Sequence, residues 1–131
     1  AGVNEIDATI TAAAVNGEGK ISAIVTDALQ AKVSFSLKGE AAVTANQAFP
    51  TKLQAGDAYG MAQYGQDLNG DGTVKEWYAQ AAEFDKACVG KTADEVAKLA
   101  IETGYGVEEI QTAGCTINIA DMVKAAQKAA K

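Results

Sequence analysis

The sequence predicts an α+β fold, a small, mainly antiparallel sheet from the N-terminal half packed by C-terminal helices. Three observations carry this. Residues 6–37 alternate apolar and polar side chains with a period of two, the mark of strands. From Lys75 onward the apolar residues fall at spacings of three and four, the mark of helices. The 131 residues suit one domain with a modest core, and strands followed by helices is the α+β order.

The strands come first. Ile6, Ala8, Ile10 and Ala12 alternate with Asp7, Thr9 and Thr11, the pattern of a half-buried strand. Asn16-Gly17-Glu18-Gly19 is a turn, because Asn and Gly tolerate positive φ. Ile21, Ala23 and Val25 then share one face, with Ile24 on the other, so a hairpin is expected. Val33, Phe35 and Leu37 alternate with Ser34, Ser36 and Lys38, predicting a third strand that Gly39 closes. Residues 40–74 are poorly periodic and glycine-rich. They read as a long connection packed by Tyr59, Met61 and Tyr64, with Phe49 held extended by Pro50.

The helices follow. Lys75 to Val89 lacks Gly and Pro, and Trp77, Ala81, Phe84 and Cys88 lie on one helical face; Gly90 ends it. Thr92 with Glu95 matches a capping box for a helix from Ala93 to Ile101. Its stripe is Val96, Leu99 and Ala100. Gly104-Tyr105-Gly106 interrupts the chain. Asn118 and Asp121 suggest another box for an Ala-rich helix from Ala120 to Lys131, with Lys near its C-terminus.

Composition excludes several kinds of chemistry. The chain has no His and no Arg, and its 11 Lys face 17 carboxylates for a net charge of −6. The absence of His removes Ser-His-Asp and Cys-His catalysis and His-ligated zinc. The absence of Arg and the acidic balance count against nucleic acid as a partner. No apolar run reaches the roughly 18–20 residues of a membrane span. Ala1 opens the chain without a Met, which suggests a piece excised from a longer precursor. Cys88 and Cys115 leave two readings open. One is a disulfide worth roughly 3 kcal/mol, which would imply an oxidising compartment. The other is a pair of buried thiols acting as small hydrophobes.

Two segments carry candidate sites. Asp67-Leu68-Asn69-Gly70-Asp71-Gly72-Thr73 opens like an EF-hand Ca²⁺ loop, with oxygen donors at positions one, three and five and Gly at six. The twelfth position, normally a bidentate Glu, is Tyr78, so Glu76 would have to close a shorter loop. The candidate Ca²⁺ ligands are Asp67, Asn69, Asp71, Thr73 and Glu76, and the competing reading is an Asx-rich turn. The second segment, Thr112 to Asn118, offers backbone N–H groups and hydroxyls ahead of the last helix, an arrangement that suits a phosphate.

Several segments together resemble the FMN-binding domain of the sodium-translocating quinone reductase and of many bacterial cell-surface flavoproteins. Glu18-Gly19-Lys20-Ile21 matches that family's first turn. Ala113-Gly114-Cys115-Thr116, leading to Met122 to Lys131, matches its S/T-G-A-T motif and final helix. Gly56-Asp57-Ala58-Tyr59-Gly60-Met61, Glu76-Trp77-Tyr78 and Val89-Gly90-Lys91-Thr92 are similar to a variant found in lipoproteins of Gram-positive anaerobes. The family pattern has Asp where Ile110 stands, Ser or Thr at Ala113 and Ala at Cys115.

The resemblance implies a single FMN-binding-like domain over 1–131 and an extracellular or cell-surface location. It implies FMN with its phosphate end on Gly114, Cys115, Thr116 and Asn118, and a phosphoester at Thr116 where a flavin transferase acts. Tyr59, Met61 or Trp77 would pack on the ring. The expected function is a non-catalytic flavin-binding or electron-transfer module of a cell-envelope protein, with a redox partner protein. The alternative is a structural or ligand-binding module of the same fold without flavin, with or without Ca²⁺ as a stabiliser.

Overall fold

The computed structural model describes residues 2–43, 46–65, 67 and 70–131. Its sheet is one antiparallel hairpin of two long strands, β1 (Gly2–Val15) and β2 (Ile21–Phe35). The turn between them lies where Asn16 and Gly19 were expected to place it. The Asn16 side-chain oxygen accepts the N–H groups of Glu18 and Lys20, both at 3.0 Å, and Gly19 takes the left-handed conformation.

The expected third strand is the far end of β2, which runs unbroken to Phe35. Beyond it the chain turns at Gly39, and Ala41 forms a single bridge back to Phe35. Nothing within Gln30–Val33 forces a break, so the ladder with β1 continues through it.

Which face of the hairpin meets the helices is opposite to the periodicity reading. Asp7, Thr9, Thr11 and Ala13 pair with Gln30, Ala28, Thr26 and Ile24 on the inner face. Ile6 and Ile10 stand outside, 63% and 56% exposed. One inner polar residue, Thr26, is bonded by a helix. Asp85 accepts the Thr26 hydroxyl at 2.6 Å and its N–H at 3.0 Å, so a carboxylate on that helix selects the threonine face.

A bulge explains Val25. Pairing jumps from Ala14↔Ala23 to Val15↔Ile21, leaving Ser22 extra, and its hydroxyl donates to the Ala14 carbonyl at 3.1 Å. One extra residue inverts the side-chain alternation. Ile21 is therefore buried while Val25 is half exposed.

The connection holds two single helical turns, α1 (Lys52–Ala55) and α2 (Met61–Tyr64), joined by a 3₁₀ turn. Tyr59 and Met61 pack on the core as expected, but Tyr64 is 84% exposed. Thr51 and Gln54 form a capping box on α1.

The third helix, α3 (Trp77–Cys88), presents the predicted stripe, and Trp77, Ala81, Phe84 and Cys88 are all buried. Truncating a fully buried Phe such as Phe84 typically costs about 3–5 kcal/mol. Gly90 stops the helix in the left-handed region. There the chain exchanges backbone bonds with Ile21, whose N–H donates to Lys91 and whose carbonyl accepts from Gly90.

The capping box of Thr92 and Glu95 is present on α4 (Ala93–Val96), which ends earlier than expected and continues as a 3₁₀ turn to Leu99. Two further helices complete the fold, α5 (Glu108–Thr112) and α6 (Ala120–Ala129). The N-cap of α6 is Ile119, not an Asn118–Asp121 box. Asn118 still accepts the Ala120 N–H at 3.0 Å, while Asp121 turns to Lys124 at 3.4 Å. The helices α3 and α6 lie on the hairpin's inner face, on β2 and β1 respectively. Among the described residues no helix is long and apolar enough to cross a membrane.

Candidate functional site

Three expected cofactor residues come together around one hollow. Met61, Thr116 and Asn118 line a cleft of about 230 Å³ with Tyr64, Gln80 and Tyr105. Tyr59 stands in the adjoining hollow, which shares Met61 and Tyr64. Tyr105 joins through its bridge to Asn118. Two phenols and a thioether around one space can contact a planar ring.

The segment expected to seat a phosphate is engaged from within. Gln80, 1% exposed, directs its amide oxygen at the N–H groups of Thr116, at 2.8 Å, and Ile117, at 3.2 Å. Four further N–H groups of this segment are also bonded. Gly114 donates to Gln111, Cys115 to Ile110, Ile119 to Gly104 and Ala120 to Asn118. The amide nitrogen of Gln80 donates to the Lys75 carbonyl at 2.8 Å and to Met61 Sδ at 3.5 Å. A neutral oxygen thus accepts from two backbone N–H groups that a phosphate would use.

Sequence reasoning missed Gln80. Its signal was a polar residue at position 80 beside the apolar face of Trp77, Ala81 and Phe84. Lys75 reaches this segment from just ahead of α3. Lys75 Nζ lies 2.7 Å from the Ala113 carbonyl and 2.9 Å from Glu83. It packs so closely over Gly114 that a Cβ there would sit 2.7 Å from Lys75 Cε. Gly114 has φ +98°, so it satisfies both the conformation and the close approach. Lys52 lies over two rings, 4.9 Å from the Tyr59 centroid and 5.4 Å from that of Trp77.

Cys88 and Cys115 are free and fully buried, which answers to the second of the two readings. Burial pushes both thiols up to about 12, so neither is a thiolate nucleophile at neutral pH. Burial likewise raises Asp85, against its bonds to Thr26.

The acidic loop is held by its own backbone. Asp67 Oδ1 and Oδ2 accept from Gly70 and Gly72, each at 2.9 Å. Asp71 accepts the N–H and hydroxyl of Thr73. Glu76 caps α2, accepting from Met61 at 2.9 Å and Ala62 at 3.2 Å. Asn69 lies outside the described residues, among which no group of three or more acidic, His or Cys side chains is placed to share an ion.

Comparison of the chain with models of protein families, with curated proteins and with solved structures finds no match.

Proposed function

We propose that this chain is a non-catalytic module of a bacterial cell-envelope protein, built on the plan of an FMN-binding domain whose flavin-phosphate seat is filled by its own Gln80. Its work is structural or ligand-binding, outside the cell, and involves no nucleic acid. The observation that carries this reading is the Gln80 amide oxygen bonded to Thr116 and Ile117. An anion entering there would have to displace a buried, fully bonded side chain.

The test is the protein coexpressed with a flavin transferase. A colourless protein of unmodified mass is expected. Flavin absorbance with added mass at Thr116 would overturn the reading.

A second reading keeps the flavin, or another planar ring, without its phosphate. The grouping of Met61, Tyr64, Tyr105 and Asn118 around one cleft favours it. A redox partner protein belongs with that reading. Because no phosphate seat is open, riboflavin and FMN would then quench Trp77 fluorescence with equal affinity. A preference for FMN above tenfold would sink it.

Calcium is read here as dispensable, since Asp67 and Glu76 already accept backbone N–H groups. A melting midpoint raised by excess Ca²⁺ over chelator would instead make it a stabilising ligand.

A further inference from the structure

We propose that the free edge of β1 and the exposed side of α6 form a groove that binds an extended peptide segment of a partner protein as a third strand. The observation that carries this is an asymmetry between the two edges of the hairpin. Backbone groups on the outer edge of β2 are taken by the rest of the chain. The Thr26 N–H goes to Asp85 at 3.0 Å and the Ala28 N–H to Asp27 at 2.7 Å. The Ser34 carbonyl accepts from Ala42 at 2.8 Å. An antiparallel ladder alternates bonded and non-bonded pairs, so the residues opposite these three also turn their backbone groups away from the partner strand. They are Thr11, Thr9 and Val3, and Asp7 and Glu5 lie in the same phase. Among the described residues, nothing bonds to the outward N–H and C=O groups of these five.

The edge also lacks the usual blocks, which are Pro, Lys or a bulge. β1 has no Pro and no Lys, and the extra residue of the bulge is on β2. Its charges are Glu5, which Gln30 and Lys32 engage from β2, and Asp7.

The last helix turns this edge into a groove. Asp7 and Thr9 face Asp121, Lys124, Ala125 and Lys128 across a hollow of about 350 Å³. None of these residues lines the cleft of Met61 and Tyr64, so the inference stands apart from the flavin plan. A strand laid along β1 here exchanges backbone bonds with Asp7 and Thr9. The residues that make those bonds point their side chains into the hollow, and those between them lie beside Ile6, Ala8 and Ile10 on the outer face.

This geometry names the occupant. A row of outward N–H and C=O groups at strand spacing recognises another extended backbone. The side chains then select among segments. Asp7 and Asp121 offer two carboxylates, and Lys124 and Lys128 two ammonium groups. The Asp121–Lys124 pair, at 3.4 Å, is exposed on both sides and weak enough to open. The groove therefore suits a segment with a basic and an acidic side chain turned inward and apolar residues turned outward.

Fluorescence anisotropy with two labelled peptides, Val-Lys-Val-Thr-Val-Glu-Val and Val-Glu-Val-Thr-Val-Lys-Val, tests this. At least one order should bind saturably. N-methylation of its central Thr removes an N–H aimed at β1 and should weaken binding more than tenfold. N-methylation of a Val, whose N–H faces away, should not. Thr9→Pro deletes an outward N–H at a position outside the β1–β2 bonds, where an edge strand tolerates Pro, and should abolish binding. Lys124→Glu/Lys128→Glu alters only exposed side chains and serves if Thr9→Pro fails to fold; it should weaken the same peptide more than tenfold. No saturable binding of either order up to millimolar concentration, equal binding of the Thr-methylated peptide, or unchanged binding to the double lysine variant overturns the proposal.

Discussion

Gln80 Oε1 accepts the N–H of Thr116 at 2.8 Å, joining the first turn of α3 to the segment that leads into α6. The two residues are far apart in sequence and both are buried. The same oxygen accepts from Ile117, so one side chain fixes the course of the chain past the cleft.

Replacing Gln80 separates its bonds from its bulk. Gln80→Met keeps most of the volume and strands two buried N–H groups, a loss of about 1–3 kcal/mol. Gln80→Ala adds a cavity and should lose about 2–4 kcal/mol in all. Urea unfolding followed by Trp77 fluorescence measures both. A Gln80→Met protein as stable as wild type would show that the bonds contribute nothing.

Gly114→Ala meets two obstacles, a left-handed backbone at φ +98° and Lys75 Cε at 2.7 Å. Strain of this kind is worth about 1–3 kcal/mol. Adding Lys75→Ala removes the collision but not the conformational strain. The double variant should therefore recover only part of the loss in a double-mutant cycle. Full recovery would place the whole effect in the collision.

Asp85 makes stability depend on pH in an unusual direction for a carboxylate. Burial raises it above its ordinary 3.8 despite the Thr26 bonds. The native state then holds the proton more tightly than the unfolded chain does. The penalty of the buried charge is complete above the raised value. It is relieved as pH falls through that value toward 3.8. Relative to Asp85→Asn, the wild-type urea midpoint should rise as pH is lowered from neutral through this window. A gap that stays constant with pH would refute the assignment.

The thiols give a counting experiment. Cys88 and Cys115 are fully buried, and their acidities are pushed up to about 12. An aromatic disulfide reagent at neutral pH should find none in the native protein and two after denaturation without reductant. Two absent thiols in the denatured sample would mean a disulfide.

Much of the fold could be read from local rules. The turn at Asn16–Gly19, the buried stripe of α3, the stop at Gly90 and the box of Thr92 with Glu95 each depend on neighbours within a few residues. What periodicity could not reveal was which strand face meets the helices. Ile6 and Ile10 signal burial by their chemistry, yet Asp85, in a distant helix, bonds Thr26 and draws the polar face inward. The α5 helix is a single short turn with no side-chain cap, too brief for periodicity to detect. The site was half legible. Met61, Thr116 and Asn118 do meet at one cleft. Gln80 and Tyr105 reach it through tertiary packing, and no local motif announces them.

The hairpin has a further consequence for how the chain is made. Its two strands are adjacent in sequence and can zip from the Asn16 turn within about 1–10 μs. The helix that covers β1 is α6, the last element of the chain. During synthesis at about 5–20 residues per second, the inner face of β1 waits for several seconds before α6 covers it. The hairpin's inner face, with Asp7, Thr9, Thr11 and Gln30, can stay hydrated through that wait. The polar lining that looks misplaced in the finished molecule therefore suits the unfinished one.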